Sequence, residues 1–214
     1  MIRGKFITFE GSEGCGKSTQ IRRFVALLES GGVEVLQTRE PGGTAVGEKI
    51  RNLLQHDDEV GDLTDESELL LFAASRAQLV REVILPALDE GKWVVADRFF
   101  DSTTIYQGVG RGLDVEAVQQ INAFAAGRAI PDLTLLLDLD AKIGHSRAVA
   151  ASGGTADRME SQPLAFFESV RQGYLDLAAV EPGRIVVIDA SPGIDEVAEK
   201  IRDEFESRLS ITIA

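Results

Sequence analysis

The segment 11–18, Gly-Ser-Glu-Gly-Cys-Gly-Lys-Ser, is a glycine-rich turn that ends in a lysine and a serine. It fits the pattern G-x-x-x-x-G-K-[ST], in which glycines let successive backbone N–H groups point at phosphate oxygens. The apolar run 5–10 before it predicts a buried strand, and residues 19–29 after it predict a helix. Because this motif requires that context, we predict a binding site for nucleotide phosphates. A glycine-rich turn with a chance Lys-Ser pair is the alternative.

The lysine and the serine of this segment have separate predicted roles. Lys17 can reach the β- and γ-phosphates of ATP, and the Ser18 hydroxyl can bind Mg²⁺. The following helix adds the positive end of its dipole. Cys15 stands at a variable position of the motif, so we interpret it as a small residue that fits there and not as a nucleophile. The expected ATP-binding residues are Gly11, Ser12, Glu13, Gly14, Cys15, Gly16, Lys17, Ser18 and Thr19.

The composition limits the partners and the compartment of the chain. Its 214 residues suffice for one sizeable core, and we predict a single domain over residues 1–214. The net charge of −13 repels polyanions, so we expect no nucleic acid and no membrane as partner. One cysteine excludes an intrachain disulfide, and with only two histidines the chain is a poor candidate for a zinc site. Without a membrane-spanning run or a signal-peptide pattern, we expect a cytoplasmic protein.

Apolar runs alternate with helical patterns along the chain. Five runs are almost continuously hydrophobic, which is typical of strands buried on both faces of a parallel sheet. These runs are 5–10, 33–38, 93–97, 133–138 and 185–189. Apolar stripes at helical spacing cover 115–125 and 194–209, and the stretch 64–90 is helical, with Pro86 expected to bend or break it. We predict an α/β P-loop NTPase fold of about five parallel strands with helices on both faces.

One loose segment, 150–156, consists of small and polar residues and precedes an Asp-Arg-Met-Glu run. This composition suits a mobile flap over a binding site. We therefore expect a mobile lid over residues 148–160.

Three observations limit the classes of phosphate-transfer reaction that fit this chain. Neither of the two asparagines, Asn52 and Asn122, begins the N-K-x-D pattern of guanine recognition, which argues against a GTPase. Arginines recur at strand ends and in loops, and no obvious general base accompanies them. Transfer to a hydroxyl often uses a carboxylate base, whereas a phosphate acceptor is already ionised and needs cationic stabilisation instead. We therefore predict transfer to an acceptor that is itself a phosphate.

Four further blocks of the sequence resemble the thymidylate kinase family. Residues 97–108, with Asp-Arg-Phe, Asp-Ser-Thr and Tyr-Gln-Gly, resemble the family signature, and residues 38–44 resemble its acceptor loop. Residues 71–78 resemble its base-binding helix, and residues 157–160 the end of its lid. These blocks and the phosphate loop follow the order and spacing of the family over nearly the whole chain. The resemblance implies the reaction ATP + dTMP → ADP + dTDP with Mg²⁺.

The resemblance assigns the thymine base to Phe72 and Arg76. Phe72 would stack on the ring, and core packing is the alternative. Arg76 would donate to thymine O4 and so disfavour cytosine, which presents an amino group there. An exposed ion pair with Glu68 or Glu82 is the alternative for Arg76.

Arg39 and Arg98 each follow a strand, at the edge where α/β proteins bind ligands. By resemblance both bind the acceptor phosphate, which a planar guanidinium fits well. A salt bridge, for instance with Glu40 or Asp101, is the alternative. Asp97 ends an apolar strand and would hold Mg²⁺ through water or orient Arg98.

The remaining assignments concern the sugar and polar contacts to dTMP. By resemblance, Glu13 accepts a hydrogen bond from the sugar 3′-hydroxyl or acts near the metal. Tyr106 crowds the 2′ position and so favours deoxyribose. Further contacts to dTMP are expected from Ser102, Thr103 and Gln107.

The lid departs from the family pattern. Bacterial relatives whose phosphate loop lacks an arginine usually carry several arginines in the lid, but residues 148–151 are Ala-Val-Ala-Ala. Arg147 and Arg158 are the remaining candidates for neutralising the transferred phosphoryl group, and Lys142 could contribute. The alternatives for Arg147 are a surface arginine or one that stacks on adenine. The expected catalytic residues are Lys17, Arg98, Arg147 and Arg158.

We thus predict a dTMP kinase of deoxynucleotide biosynthesis whose lid closes over both substrates and excludes water. The family is typically dimeric, so we expect a homodimer, with the leucine-rich helices around 69–85 as one candidate interface. Two alternatives stay open. A sibling nucleotide kinase would accept another base, and a P-loop ATPase that acts as a switch or binds a partner would need no monophosphate.

Overall fold

Five parallel strands form one sheet in the computed structural model, which describes residues 3–55, 61–152 and 162–211. The strands are β1 (Phe6–Glu10), β2 (Val35–Arg39), β3 (Trp93–Asp97), β4 (Leu133–Asp138) and β5 (Ile185–Asp189). Their order across the sheet is β2-β3-β1-β4-β5, and every neighbouring pair is parallel. The predicted five-stranded parallel sheet is therefore confirmed.

Helices fill the connections between the strands. Within the described ranges they are α1 (Lys17–Ser30), α2 (Ala45–Gln55), α3 (Asp65–Leu79), α4 (Leu85–Asp89), α5 (Phe100–Thr103), α6 (Val115–Ala126), α7 (Ala141–Ser152), α8 (Leu164–Val180) and α9 (Ile194–Leu209). Two π-helical segments, Val80–Ile84 and Thr104–Gly110, join α3 to α4 and extend α5. Across the part of the chain that is described, no helix has both the length and the apolar character needed to cross a membrane.

Apolar side chains on both faces of the sheet form the core. Successive residues of a strand point to opposite faces, and β1 is buried along its whole length. Ile7 and Phe9 pack with side chains of α1 and α9, whereas Phe6 packs with the helical stretch from α3 to α4. A third cluster lies between β4, α8 and the segment Thr104–Gly110. The prediction of helices on both faces is confirmed.

Three elements differ in detail from the sequence prediction. α1 begins at Lys17, two residues early, because the glycine turn leads directly into the helix. β2 begins at Val35, two residues later than expected, and ends at Arg39, one residue later. Pro86 does not break the helix, since it lies in the first turn of α4, where a missing N–H costs little. The irregularity precedes the proline: the N–H of Leu85 donates to the carbonyl of Val80 in a wide π turn.

The segment predicted to be a lid lies only partly within the described ranges. Residues 148–152 form the end of α7. Residues 153–161, which include Arg158, lie outside the described residues. The lid and the single domain over residues 1–214 stay predictions.

Candidate active site

The carboxyl ends of β1, β2 and β3 meet at one edge of the sheet, and a cavity of about 720 Å³ opens there. Open α/β sheets bind ligands at this edge. Most of the predicted site residues line the cavity. They are Glu13, Gly14, Gly16, Lys17, Ser18, Thr19, Arg39, Phe72, Arg76, Asp97, Arg98, Ser102, Thr103, Tyr106, Gln107 and Arg147. The residues assigned to ATP and those assigned to dTMP thus share one cavity.

Three residues of the phosphate loop lie beneath the lining. The carbonyls of Gly11 and Ser12 each accept a hydrogen bond from Lys17 Nζ at 3.0 Å. Cys15 is buried in the apolar core between the sheet and α1. This burial agrees with the interpretation of Cys15 as a small packing residue.

The phosphate loop lies directly against α7. Gly14 has φ of +68°, and a Cβ at this position would come within 2.1 Å of the carbonyl oxygen of Gly144. Only glycine combines that backbone conformation with so close an approach. The contact fixes the loop against the helix that carries Arg147, whose exposed side chain lines the cavity.

The first turn of α1 faces the cavity with positive charge. α1 begins at Lys17 and has no acidic residue in its first turn. The positive end of its dipole is therefore not neutralised within the helix, and the Lys17 ammonium adds a full charge beside it. This combination attracts a phosphate.

Ser18 and Asp97 form the site expected to hold the metal. The Ser18 hydroxyl donates to Asp97 Oδ2 at 3.4 Å, so two hard oxygen ligands stand side by side at the cavity wall. In the described part of the chain, no three His, Cys, Asp or Glu side chains converge as a metal site. Mg²⁺ is commonly bound by one or two protein oxygens together with waters and substrate phosphates. The oxygen donors of Ser18 and Asp97 therefore fit Mg²⁺.

Glu13, Arg98 and Tyr106 form a compact polar group at the centre of the cavity. Arg98 Nη2 donates to Glu13 Oε1 at 2.7 Å, and the Tyr106 hydroxyl donates to the same oxygen at 3.1 Å. Burial alone would raise the pKa of Glu13, but the charges of Arg98 and Lys17 outweigh it and lower the pKa to about 2. Glu13 is therefore an anion at every working pH. The suggested pairing of Arg98 with Asp101 is wrong, because Asp101 pairs with Arg184.

The backbone of Arg98 has an unusual conformation that a buried acid supports. Its φ of +68° lies in the left-handed region, which non-glycine residues adopt only with strain. Glu10, at the end of β1, accepts hydrogen bonds from the backbone N–H groups of Phe99 and Ser102 just beyond it. Burial and the nearby Asp101 raise the pKa of Glu10, against the opposing charge of Arg98. Glu10 thus caps the turn that carries Arg98.

Arg39 lies at the open side of the cavity. Its Nη2 pairs with Glu48 at 2.9 Å, and both side chains are about half exposed. The suggested partner Glu40 is therefore wrong, since Glu40 pairs with Arg76 instead. Arg39 retains a position from which it can contact an acceptor phosphate.

Arg76 is one of the largest fully buried side chains of the protein, at 1% exposure. The suggested exposed ion pair with Glu68 or Glu82 is wrong. Its Nε and Nη2 donate to Glu40 Oε2 at 2.9 and 2.6 Å. Nη1 donates to Asn122 and Nη2 also donates to Thr103. A guanidinium has five N–H groups, and these four bonds leave one, on Nη1, without an acceptor among the described residues.

Glu40 is the buried counter-ion of Arg76. Its Oε2 accepts both bonds from the guanidinium, whereas no donor in the described residues reaches Oε1. Burial raises the pKa of Glu40 to about 7, although the charge of Arg76 acts in the opposite direction. The group therefore has a pKa within the range in which enzymes operate.

The other dTMP candidates surround this pair. Phe72 is half-buried and lines the cavity, and it belongs to none of the three core clusters. Gln107 is buried, and its Nε2 donates to Glu68 Oε1 at 2.8 Å. Arg111 also donates to Glu68, from Nη2 at 3.1 Å. An acid and an arginine outside the cavity lining thus orient Gln107.

Three polar cavity residues and one supporting residue were missed by sequence reasoning. Arg51 and Gln55 lie four positions apart on α2, a spacing that places both on one helix face and was a detectable signal. Glu40 was considered only as a salt-bridge partner. Tyr174, on α8, donates to Glu10 at 2.8 Å and lies far from every motif, so no sequence signal marked it.

The fold and the site together define a P-loop nucleotide kinase, in which a phosphate loop and an arginine-lined acceptor pocket open into one cavity. The family model described as thymidylate kinase matches residues 9–201. The chain therefore belongs to the thymidylate kinase family.

Individual relatives agree with this assignment. A thymidylate kinase of Solidesulfovibrio magneticus is 52% identical over 201 residues, covering 92% of this chain and 96% of the relative. One of Desulfosudis oleivorans is 53% identical over 201 residues, with 92% and 94% covered. The crystal structure of thymidylate kinase from Ehrlichia chaffeensis superposes with a TM-score of 0.76 at 36% identity, covering 95% of this chain and 99% of that one.

The raised pKa of Glu40 predicts a pH dependence of stability. Because the pKa is higher in the folded state than its ordinary 4.5, folding favours the protonated form. The resulting stabilisation is fully present below pH 4.5 and is lost as the pH rises through about 7. We expect the free energy of unfolding of the wild type, relative to Glu40→Gln, to fall between pH 5 and 8 by on the order of 3 kcal/mol.

Urea unfolding at constant protein concentration would measure this difference. Glu48→Gln is the matched control. The backbone N–H of Gly43 is the main cause of a lowered pKa of Glu48, so this carboxyl group titrates below the pH range of the experiment. If the free energies of unfolding of the wild type and of Glu40→Gln differ by the same amount at every pH, the pKa of Glu40 is not raised.

Proposed function

We propose that this chain transfers the γ-phosphoryl group of ATP to dTMP, giving ADP and dTDP. The observation that carries the proposal is that one cavity joins the phosphate loop to a pocket lined by an aromatic ring and arginines. Two nucleotides bound from opposite sides would meet with their phosphates between Lys17 and Arg98. Membership of the thymidylate kinase family supports this choice of acceptor.

The donor nucleotide would bind through the phosphate loop and the start of α1. Loop N–H groups and the helix dipole hold the β-phosphate. Lys17 Nζ, which contacts the carbonyls of Gly11 and Ser12, would turn toward the transferred phosphoryl group. Its charge then stabilises the negative charge that spreads over the phosphoryl oxygens in the transition state.

Ser18 and Asp97 would hold Mg²⁺, Ser18 directly and Asp97 directly or through water. A magnesium ion held by these two residues would supply positive charge that neutralises part of the charge of the ATP phosphates. Asp97 also ends the strand that leads into Arg98, so the same turn would place both groups.

The thymine ring would lie on Phe72 and present its edge to Arg76. The remaining N–H of Arg76 would donate to thymine O4. Cytosine places an amino group at that point, which cannot accept the bond. Glu40, Asn122 and Thr103 hold the guanidinium in place, so the donor is ready before the base arrives. Thr103 and Gln107 would complete the contacts to the base or sugar.

The acceptor phosphate would bind between Arg39 and Arg98. It is ionised at neutral pH, so transfer needs no general base, and the arginines would instead offset the repulsion between two anionic substrates. Ser102, beside Arg98, would contact dTMP as well. Tyr106 would exclude a 2′-hydroxyl, and Glu13 would accept from the 3′-hydroxyl while it orients Arg98.

Arg147 lines the cavity beside the phosphate loop, and we propose it as a cation for the transferred phosphoryl group. The role proposed for Arg158 rests on its place in the sequence motif alone. A lid over residues 148–160 would exclude water and so suppress ATP hydrolysis. A cytoplasmic location suits the free thiol of Cys15, which persists in a reducing compartment.

A substrate panel tests the reaction. Steady-state ADP release is measured with Mg²⁺, ATP and each of dTMP, dUMP, dCMP and AMP, or without acceptor. We expect the highest kcat/KM with dTMP and near-background release without acceptor. Lys17→Ala should lower kcat by roughly 10²- to 10³-fold at an unchanged melting temperature, because Lys17 acts on the transition state.

The exposed Lys200, which pairs with Glu196 on α9, supplies the control Lys200→Ala, expected to be as active as the wild type. Equal rates with dCMP would identify a sibling kinase of another base preference. ADP release that persists at full rate without any acceptor would identify a switch-type ATPase.

Arg76→Lys should raise the KM for dTMP at least tenfold and leave the KM for ATP unchanged. Lysine keeps a charge opposite Glu40 but lacks the planar fork that contacts three side chains and the base at once. The matched control is Arg81→Lys, because the bonds that Arg81 donates within the described ranges go to main-chain carbonyls outside the cavity, among them that of Ala125. An equal loss for both substrates would mean that Arg76 supports the fold rather than base recognition.

We also propose a homodimer that forms through α2, α3 and α6. α3 packs against both of the other helices. The outward sides of the three helices carry exposed apolar residues: Val46 is 47% exposed, Leu70 55% and Phe124 82%. Exposed apolar side chains on adjoining helices are typical of a surface that another protein covers.

Phe124→Asp should convert the dimer to a monomer, since it would place a charge in an apolar interface. Light scattering coupled to gel filtration measures the mass. Val180→Asp is the control, because Val180 is 74% exposed on α8 and lies on none of the three interface helices. A dimeric Phe124→Asp protein, or a monomeric wild type at micromolar concentration, would contradict the proposed interface.

A further inference from the structure

Glu10 is a fully buried acidic residue to which the proposed function assigns no role. It ends β1 and accepts four hydrogen bonds. Two come from the backbone N–H groups of Phe99 and Ser102, at 2.8 and 3.3 Å. The other two come from the hydroxyls of Ser102, at 2.6 Å, and Tyr174, at 2.8 Å. Four donors match the acceptor capacity of an ionised carboxylate, which has no hydrogen of its own to donate.

This arrangement joins both hydroxyl groups to Glu10. Glu10 Oε2 accepts from the hydroxyls of Ser102 and Tyr174, whose oxygens also lie 2.9 Å from each other. Their lone pairs are left for other donors, and Arg98 Nη1 donates to Ser102 Oγ at 3.1 Å and to the Tyr174 oxygen at 3.4 Å. Glu10 thus holds two hydroxyl oxygens beside Arg98, where both accept hydrogen bonds from its guanidinium.

The two ends of the Arg98 guanidinium are held by separate groups. Nη2 contacts Glu13 and Tyr106, whereas Nη1 contacts Ser102 and Tyr174. Contacts at both ends fix the rotation of the guanidinium plane, which a single ion pair would leave free. A planar, bidentate group binds phosphate well only in a defined orientation.

We propose that Glu10 and Tyr174 are positioning residues that orient Arg98 toward the acceptor phosphate. The inference rests on the proposed function, in which Arg98 binds that phosphate. Neither residue lines the cavity, so both act through Ser102 and Arg98 and not by contact with a substrate.

Tyr174→Phe is the most selective test, because it removes one oxygen and keeps the buried ring. We expect the kcat/KM for dTMP to fall about tenfold, which is the strength of one hydrogen bond to a charged group. The KM for ATP and the melting temperature should stay close to the wild-type values.

Glu10→Gln should have a larger effect, about a hundredfold loss of kcat/KM for dTMP. The amide can donate to the hydroxyls, so their hydrogens turn toward Arg98 and repel it. Thr8→Val is the matched control, since Thr8 lies on the same strand and its buried hydroxyl bonds, among the residues that the structure describes, to Thr134 alone, at 2.8 Å. It should lose stability without loss of kcat/KM.

A double-mutant cycle with Arg98→Lys separates positioning from general support of the fold. If Tyr174 acts through Arg98, Tyr174→Phe will change the kcat/KM for dTMP in the wild type but not in the Arg98→Lys background. Independent, additive losses would overturn the proposal, and so would a wild-type KM for dTMP in both Tyr174→Phe and Glu10→Gln.

The same assays distinguish a failure of the proposed function. If Arg98→Lys leaves the KM for dTMP unchanged, or the wild type shows no dTMP-dependent turnover, the acceptor site itself is misassigned. If Arg98→Lys is defective and Tyr174→Phe is not, only the positioning role is lost.

Discussion

The ion pair between Glu13 and Arg98 joins the two halves of the site, and the rest of the geometry depends on it. Glu13 belongs to the phosphate loop after β1, and Arg98 follows β3, so their 2.7 Å contact ties the ATP side to the acceptor side. The two side chains are only 23% and 15% exposed. Removing one partner of such a pair leaves a buried charge, at a cost of about 3–5 kcal/mol. In the proposed function, the distance between the two phosphates would therefore be set by a contact that is hard to break.

A second ion pair, which is fully buried, gives the pocket around Arg76 the same rigidity. Glu40 follows β2, Arg76 lies on α3 and Asn122 on α6, so one guanidinium connects three parts of the chain. Replacing such a pair by apolar side chains is often neutral for stability, so stability alone does not explain its presence. The geometry of the pair explains its presence, because a guanidinium held by four bonds presents its remaining N–H in one direction only. The proposed recognition of the base by one hydrogen bond would require that precision.

The fold and much of the site followed from sequence patterns. β3, β4 and β5 begin and end as expected, because long apolar runs between polar residues are unambiguous in a parallel sheet. Motif residues such as Lys17 and Arg98 reach one cavity because strand ends of a parallel sheet meet at one edge. The buried acidic partners of the arginines could not be predicted from the sequence in the same way. Glu40 and Glu10 are buried by the tertiary packing of distant elements, and acidic residues are normally assumed to be exposed.

The two acceptor arginines differ in how firmly they are held, and this difference suits their work. Arg39 pairs with Glu48 at the surface, where solvent and salt weaken ion pairs to between 0 and about 1 kcal/mol. An arriving phosphate can therefore displace Glu48 at little cost, so Arg39 can adjust its position. Arg98 cannot, because it is held by hydrogen bonds to Glu13 and Ser102 and to the buried Tyr106 and Tyr174. In the proposed function, the fixed cation would define where the acceptor phosphate lies, and the adaptable cation would capture it. This division would let a chain of net charge −13 draw a second anion toward a bound triphosphate.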